Sequence, residues 1–244
     1  MFPHRWGGSD PVADFQLDFF TLVLIFSPVA LVFRNREEAG RLLGEALKRE
    51  GISGSEVRVL GIPRGGVITA KAASEVVGGQ LDVIVSRKLR APFNPELGLG
   101  AVSELEAVYI NWDIVRELGV GRDYLDREVE YQREVVKRYV EKFRLGSPLS
   151  LRGTTAVVVD DGIATGATVI AASIACRNAG AERVVVAAPV VSEDVAPIVS
   201  RYCDRLVYVI KPAVLYAVGM YYEDFSEVSD EEVLRLLGRS RQAG

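Results

Sequence analysis

The feature that most constrains this chain is the recurrence of short valine- and isoleucine-rich runs separated by helical patterns. VRVLGI at 57–62, LDVIVSR at 81–87, and the later runs TTAVVVDD, ERVVVAAPVV and DRLVYVI read as strands that are apolar on both faces. Such strands are buried from both sides, and intervening stretches such as VITAKAASEVV at 67–77 supply the covering helices. The pattern predicts an open, doubly wound α/β domain with a mainly parallel sheet. Two further helices frame it. NREEAGRLLGEALKREG puts Ala39, Leu42, Leu43, Ala46 and Leu47 on one face and ends near Gly51. From Asp123 to Phe143, the residues Leu125, Val129, Gln132, Val136, Tyr139 and Phe143 recur at helical spacing. They predict a long amphipathic helix covering the sheet or a dimer interface.

Composition narrows the chemistry. With 29 Lys and Arg against 33 Asp and Glu, the net charge of −4 lacks the basic footprint of a general nucleic-acid binder. The single histidine, His4, leaves no material for His-dependent triads or His-based zinc sites. Cys176 and Cys203 sit in apolar patterns and read as reduced, packed thiols, so a cytoplasmic location is expected. Residues 1–33 form an N-terminal extension that stands apart from the domain at 34–244. Its apolar run at 19–33 is shorter than the roughly 20 residues of a spanning helix. Asp10, Asp14 and Asp18 ahead of it argue against a secretory signal. Packing on the domain or a partner, an extra element, and a membrane anchor all stay open for it.

AVVVDDGIATGATVIAA at 156–172 carries the most chemistry. A strand, two carboxylates, a Gly-containing turn and a helix start follow in the order that builds an anion site, because free N–H groups and the helix dipole converge on the turn. Gly162 and Gly166 allow close approach, Thr165 and Thr168 offer hydroxyls, and Asp160 and Asp161 can accept from vicinal sugar hydroxyls. The lysine of a nucleoside triphosphate P-loop is absent, and GLGAVS at 98–103 lacks the setting of a dinucleotide fingerprint.

VVVDDGIATGAT resembles the signature of type I phosphoribosyltransferases that binds 5-phosphoribosyl-1-diphosphate (PRPP). The resemblance implies that Asp160 and Asp161 hold the ribose, while Gly162, Ala164, Thr165, Gly166, Ala167 and Thr168 hold the ribose phosphate. GIPRGG at 61–66 is similar to the family's pyrophosphate loop, which implies that Arg64, Gly65 and Gly66 grip the leaving group beside a cis peptide. Arg87 and Lys88 end the second expected strand. The following LRAPFNPELGLGAVSE resembles the mobile catalytic loop, with Pro92, Pro95, Gly98 and Gly100 expected in irregular backbone. Arg87, Lys88, Asp160 and Asp161 are the implied catalytic residues. KPAVLYAVGMYYEDFSEVSD at 211–230 occupies the place of the C-terminal hood, where Lys211 and Tyr216 are the implied acceptor contacts.

The layout resemblance spans residues 34–238 and is nearest to a group of phosphoribosyltransferases sharing PRGG, RKL and VDDGIATGAT. It implies a type I phosphoribosyltransferase fold with a small C-terminal hood and an extra long helix. It also implies transfer of a 5-phosphoribosyl group to a nitrogenous acceptor, a nucleobase, with release of pyrophosphate. Mg2+ is expected to be carried mainly by PRPP, with no dedicated protein ligands. The expected partners are PRPP and a small-molecule acceptor, without nucleic acid; a homodimer is compatible with the pattern. The competing readings are a non-catalytic PRPP or nucleotide sensor, and an enzyme that hydrolyses PRPP or uses another phosphorylated pentose. Ala164 stands where relatives using 6-oxopurines carry an aspartate. The turn therefore implies that 6-oxopurines are poor acceptors and that Glu96 or Glu104 supplies any base activation, although Lys211 and Tyr216 lean the other way.

Overall fold

The computed structural model describes residues 32–94 and 97–239. Residues 1–31 of the extension, together with Pro95 and Glu96, lie outside the described residues. Elements run α1 (Arg36–Arg49), β1 (Val57–Gly61), α2 (Gly65–Val77), β2 (Gln80–Val83), β3 (Ser86–Arg90), β4 (Gly98–Ser103), β5 (Val108–Ile110) and α3 (Trp112–Glu117). There follow α4 (Arg122–Arg144), β6 (Thr155–Val159), α5 (Ala167–Asn178), β7 (Arg183–Val190), α6 (Ala196–Val199), β8 (Arg205–Ile210), a 3-10 turn (Val218–Tyr221) and α7 (Asp230–Leu236).

The main sheet is five-stranded, parallel, and ordered β2-β1-β6-β7-β8. Strand alternation sorts its side chains onto two faces. Val57, Val59, Val157, Val159 and Val185 pack against Leu43, Leu47, Ala70 and Ala73 of α1 and α2. Leu60, Val158, Val184 and Val186 pack against Val169, Ile170 and Cys176 of α5. Burial pushes the Cys176 thiol above its ordinary range, which fits a packing role.

A second sheet is antiparallel, three-stranded, and ordered β3-β4-β5. It shares a core with α4, where Leu89, Leu99 and Val102 meet Leu125, Val136 and Phe143. This sheet corrects two expectations. LDVIVSR is not one strand, because pairing with β1 ends at Val83 and Ser86 opens β3 in the other sheet. Arg87 and Lys88 are therefore interior to β3 and not at the end of the second parallel strand. Gly98–Ser103, expected as irregular loop, is a strand buried along its whole length. The helices at Arg36–Arg49 and Arg122–Arg144 match their predicted spans closely.

Candidate functional site

The chain reverses winding direction between β1 and β6, which pair in parallel with Gly61 opposite Val159. Open α/β sheets bind ligands outside the carboxyl ends of strands at such a switch point. The segments leaving these two strands are GIPRGG and DDGIATGAT, and that adjacency brings both sequence motifs to one crevice. The peptide bond between Pro63 and Arg64 is cis. Gly65 and Gly66 open α2, whose N-terminus has no side-chain cap.

Gly65 is required by contact. A Cβ there would stand 2.1 Å from Asp161 Oδ2 and 2.7 Å from Arg36 Nε. Across the crevice, Gly166 is the N-cap of α5 with φ 76°, a left-handed conformation natural to glycine, and no side chain caps this helix either. The first-turn amides of α5 and of α2 thus converge on the crevice as anion donors. Ala164 and Thr165 are exposed on the turn, whereas Ala167 is buried.

Arg87, Lys88, Asp160 and Thr168 line one cavity of about 460 Å³ together with Pro63 and Arg90. Two sheets and both motif loops therefore contribute to a single concavity. Burial pushes the Asp160 carboxyl well above its usual range, and the neighbouring Asp161 charge adds to the rise. Burial also raises Asp161, but the Arg36 guanidinium opposes that shift.

Arg36 is a site residue that sequence reading missed. Its Nε donates to Asp161 Oδ2 at 2.8 Å, one Nη donates to the Ser226 carbonyl at 2.9 Å, and its guanidinium lies 3.8 Å from the Phe225 ring centroid. Tyr222 closes the other side, donating its hydroxyl to the Asp161 carbonyl at 2.6 Å. Phe33, the last residue of the apolar run, is buried and exchanges backbone hydrogen bonds with Tyr221 and Glu223. Both ends of the domain thus meet at Asp161. Arg64 is held by Glu227 at 2.6 Å in a solvent-exposed pair.

Several expected site residues lie elsewhere. Lys211 pairs with Glu193 at 3.3 Å, and Tyr216 is 84% exposed; neither borders the cavity of Asp160. Glu104 is 7% exposed, accepts the Val85 N–H at 2.9 Å and is ion-paired with Arg144. A carboxylate so engaged is unsuited to activating an acceptor, which corrects its expected role. Glu96 lies outside the described residues. Among the described residues, no group of three or more His, Cys, Asp or Glu could hold a metal ion, and no helix is long and apolar enough to cross a membrane.

Comparison with known proteins places this geometry. The phosphoribosyl transferase domain model matches residues 34–206. Two Mycobacterium tuberculosis proteins, of strains CDC 1551 and H37Rv, each bear the name "Putative phosphoribosyl transferase". They are 40% identical over 212 residues, covering 86% of this chain and 47% of theirs. The chain spans about half the length of these curated relatives. The crystal structure of TT1426 from Thermus thermophilus is 40% identical, with a TM-score of 0.69 over 84% of this chain and 97% of that one.

Proposed function

Since the chain belongs to the phosphoribosyl transferase domain family and has its type I fold, we propose that it binds PRPP in the crevice between β1 and β6. We read the reaction as transfer of the 5-phosphoribosyl group to a nitrogenous acceptor with release of pyrophosphate. The observation that carries this reading is the single cavity lined by Arg87, Lys88, Asp160 and Thr168 at the switch point. On this reading Asp160, inside the cavity, and Asp161 beside it hold the ribose, and the turn from Gly162 to Thr168 with the α5 amides receives the ribose phosphate. Arg64 with the Gly65 and Gly66 amides receives the diphosphate, and Arg87 and Lys88 draw off its charge as it leaves.

The transition state has oxocarbenium character, so positive charge builds on the ribose while negative charge builds on pyrophosphate. Positioning and charge neutralisation are the work left to the protein. The donor set fits a magnesium ion carried mainly by PRPP oxygens and waters, with Asp160 the carboxylate that lines the cavity. Such an ion supplies neutralisation of the diphosphate.

Incubating the protein with PRPP, magnesium and a panel of bases, and measuring pyrophosphate release, tests the proposal. No release with any acceptor, despite PRPP binding, would favour a PRPP sensor. That second reading draws on Lys211 and Tyr216, which stand away from the cavity and leave the acceptor side unlined by them. Within the enzymatic reading, Ala164 puts a methyl group where a proton acceptor would be needed. Hypoxanthine, guanine and xanthine should each turn over with kcat/KM below about 10⁴ M⁻¹s⁻¹, and steady-state kinetics above that value for any of them would reject the assignment.

A further inference from the structure

Beyond the crevice, β3 and α4 enclose a second concavity of about 370 Å³, whose wall includes Arg87, Arg90, Arg138, Lys142, Tyr131 and Tyr139. It abuts the first cavity, because Arg87 and Arg90 border both. Among the described residues Asp230 is the only carboxylate on this wall, and Lys142 holds it at 2.6 Å. Arg87, Arg90 and Arg138 form no ion pair with any carboxylate of the described residues. Arg87 Nε is shut off from solvent without an acceptor, and the guanidinium lies 5.8 Å from the Tyr139 ring centroid.

Guanidinium groups around one concavity, none of them paired with a described carboxylate, repel each other wherever they come within a Debye length, about 8 Å at physiological salt. A solvated helix face would not explain the arrangement, because two of these arginines come from a strand and the third from the helix packed on it. Their forked donors suit phosphate oxygens better than any neutral group. Tyr131, 58% exposed at the rim, adds a flat apolar surface on which a ring could stack.

The geometry points to a second anion site, adjoining the PRPP crevice and sharing Arg87 and Arg90 with it, that takes a phosphorylated small molecule with at least two phosphate charges. The site stands on its own observations and does not require that the crevice bind PRPP. A nucleotide and an inorganic or sugar polyphosphate share this chemistry, and Tyr131 distinguishes them.

Titration calorimetry on the full chain with inorganic tripolyphosphate and with ADP, each with and without saturating PRPP, tests the assignment. Arg138→Gln, an exposed helix position that does not border the crevice cavity, is expected to weaken tripolyphosphate binding about tenfold or more, equivalent to about 1.4 kcal/mol. PRPP affinity should stay within about twofold, since the variant leaves the crevice intact. Equal tripolyphosphate affinity in wild type and Arg138→Gln would overturn the site, as would complete displacement of tripolyphosphate by PRPP. If PRPP fails to bind at all, dependence of tripolyphosphate binding on Arg138 still upholds this site while the crevice reading falls. Loss of ADP but not tripolyphosphate affinity in Tyr131→Ala identifies a nucleotide; equal retention of both identifies the phosphate-only class.

Discussion

Two arginine–carboxylate pairs in this molecule use the same chemistry for different ends. Arg144 and Glu104 have side chains only 2% and 5% exposed, and each has a further partner: Glu104 takes the Val85 N–H, and Arg144 donates to the Val83 carbonyl. They tie α4 to the junction where the chain leaves the parallel sheet for the antiparallel one. Arg36 and Asp161, at 10% and 16%, sit at the mouth of the crevice. There the arginine is held by Phe225 and Ser226, and the aspartate belongs to the motif turn. The first pair is turned inward onto backbone groups, away from the crevice, with only the buried Arg144 Nε lacking a partner among its described contacts. The second holds one member of an acidic pair fixed while Asp160 is left facing the cavity.

The largest expected effect breaks the first pair. Arg144→Met should destabilise the fold by about 3–5 kcal/mol, the scale for stranding a buried charge. Adding Glu104→Leu should recover most of that loss, because two apolar groups then replace the pair. Chemical denaturation measures both variants, and a single-variant cost under about 1 kcal/mol would show the pair to be incidental.

Arg36→Met should cost less stability, about 1–3 kcal/mol for a hydrogen bond to a charged group, yet it should also weaken PRPP binding. Arg36→Lys should restore part of the stability but less of the affinity, since a single ammonium cannot meet Asp161, Ser226 and Phe225 together. Calorimetry beside thermal melts separates the two readouts. A variant with lowered melting temperature and unchanged affinity would make the second pair structural like the first.

How legible these regions were follows from where their partners lie in the chain. The motif turn could be read because strand, carboxylates, turn and helix start are contiguous from 156 to 172, and local order dictates local geometry. The parallel strands could be read because burial on both faces forces near-continuous runs of Val and Ile. The β3–β4 hairpin could not: the bend near Ile84 and Val85 lies inside an unbroken apolar run, and the glycines of Gly98–Ser103 imitate a loop while the strand itself is fully buried. Glu104 looked like a loop acid for the same reason. Arg36 was hidden for another reason, since it lies 125 positions from Asp161 and occupies an ordinary first-turn place in an amphipathic helix. Nothing within a local window distinguishes it from a solvated arginine.

Asp160→Asn tests the open member of the acidic pair. Affinity for PRPP should fall by about 1–3 kcal/mol, while the ligand-free protein should melt higher than wild type at pH 7. The sign follows from the raised carboxyl. A group whose folded pKa lies above its unfolded value of about 3.9 favours the native state fully below that value and loses the benefit as pH rises through the folded one. At neutral pH the native crevice bears the cost of an ionised, desolvated Asp160, and asparagine removes it. The difference in melting temperature should therefore shrink as pH is lowered toward 4; a difference that grows would reverse the assignment.

The smallest effect concerns the strap that leads from the end of the domain to the second pair. Tyr222 is buried, packs against Phe33 and Phe225 with ring centroids 5.4 and 5.0 Å apart, and donates its hydroxyl to the Asp161 carbonyl. Tyr222→Phe keeps the ring contacts and removes only that donor. The carbonyl then loses one partner, so the fold should weaken by about 0.5–1.5 kcal/mol, the net value of an ordinary hydrogen bond. If the hydroxyl also fixes the backbone that carries the acidic pair, affinity for PRPP falls with stability in this variant, whereas Arg144→Met lowers stability alone. Measuring both quantities in both variants places the strap with the site or with the scaffold. A Tyr222→Phe protein that melts lower but binds PRPP as tightly as wild type would leave Arg36, and not the strap, as the contact that fixes the Asp161 carboxylate for binding.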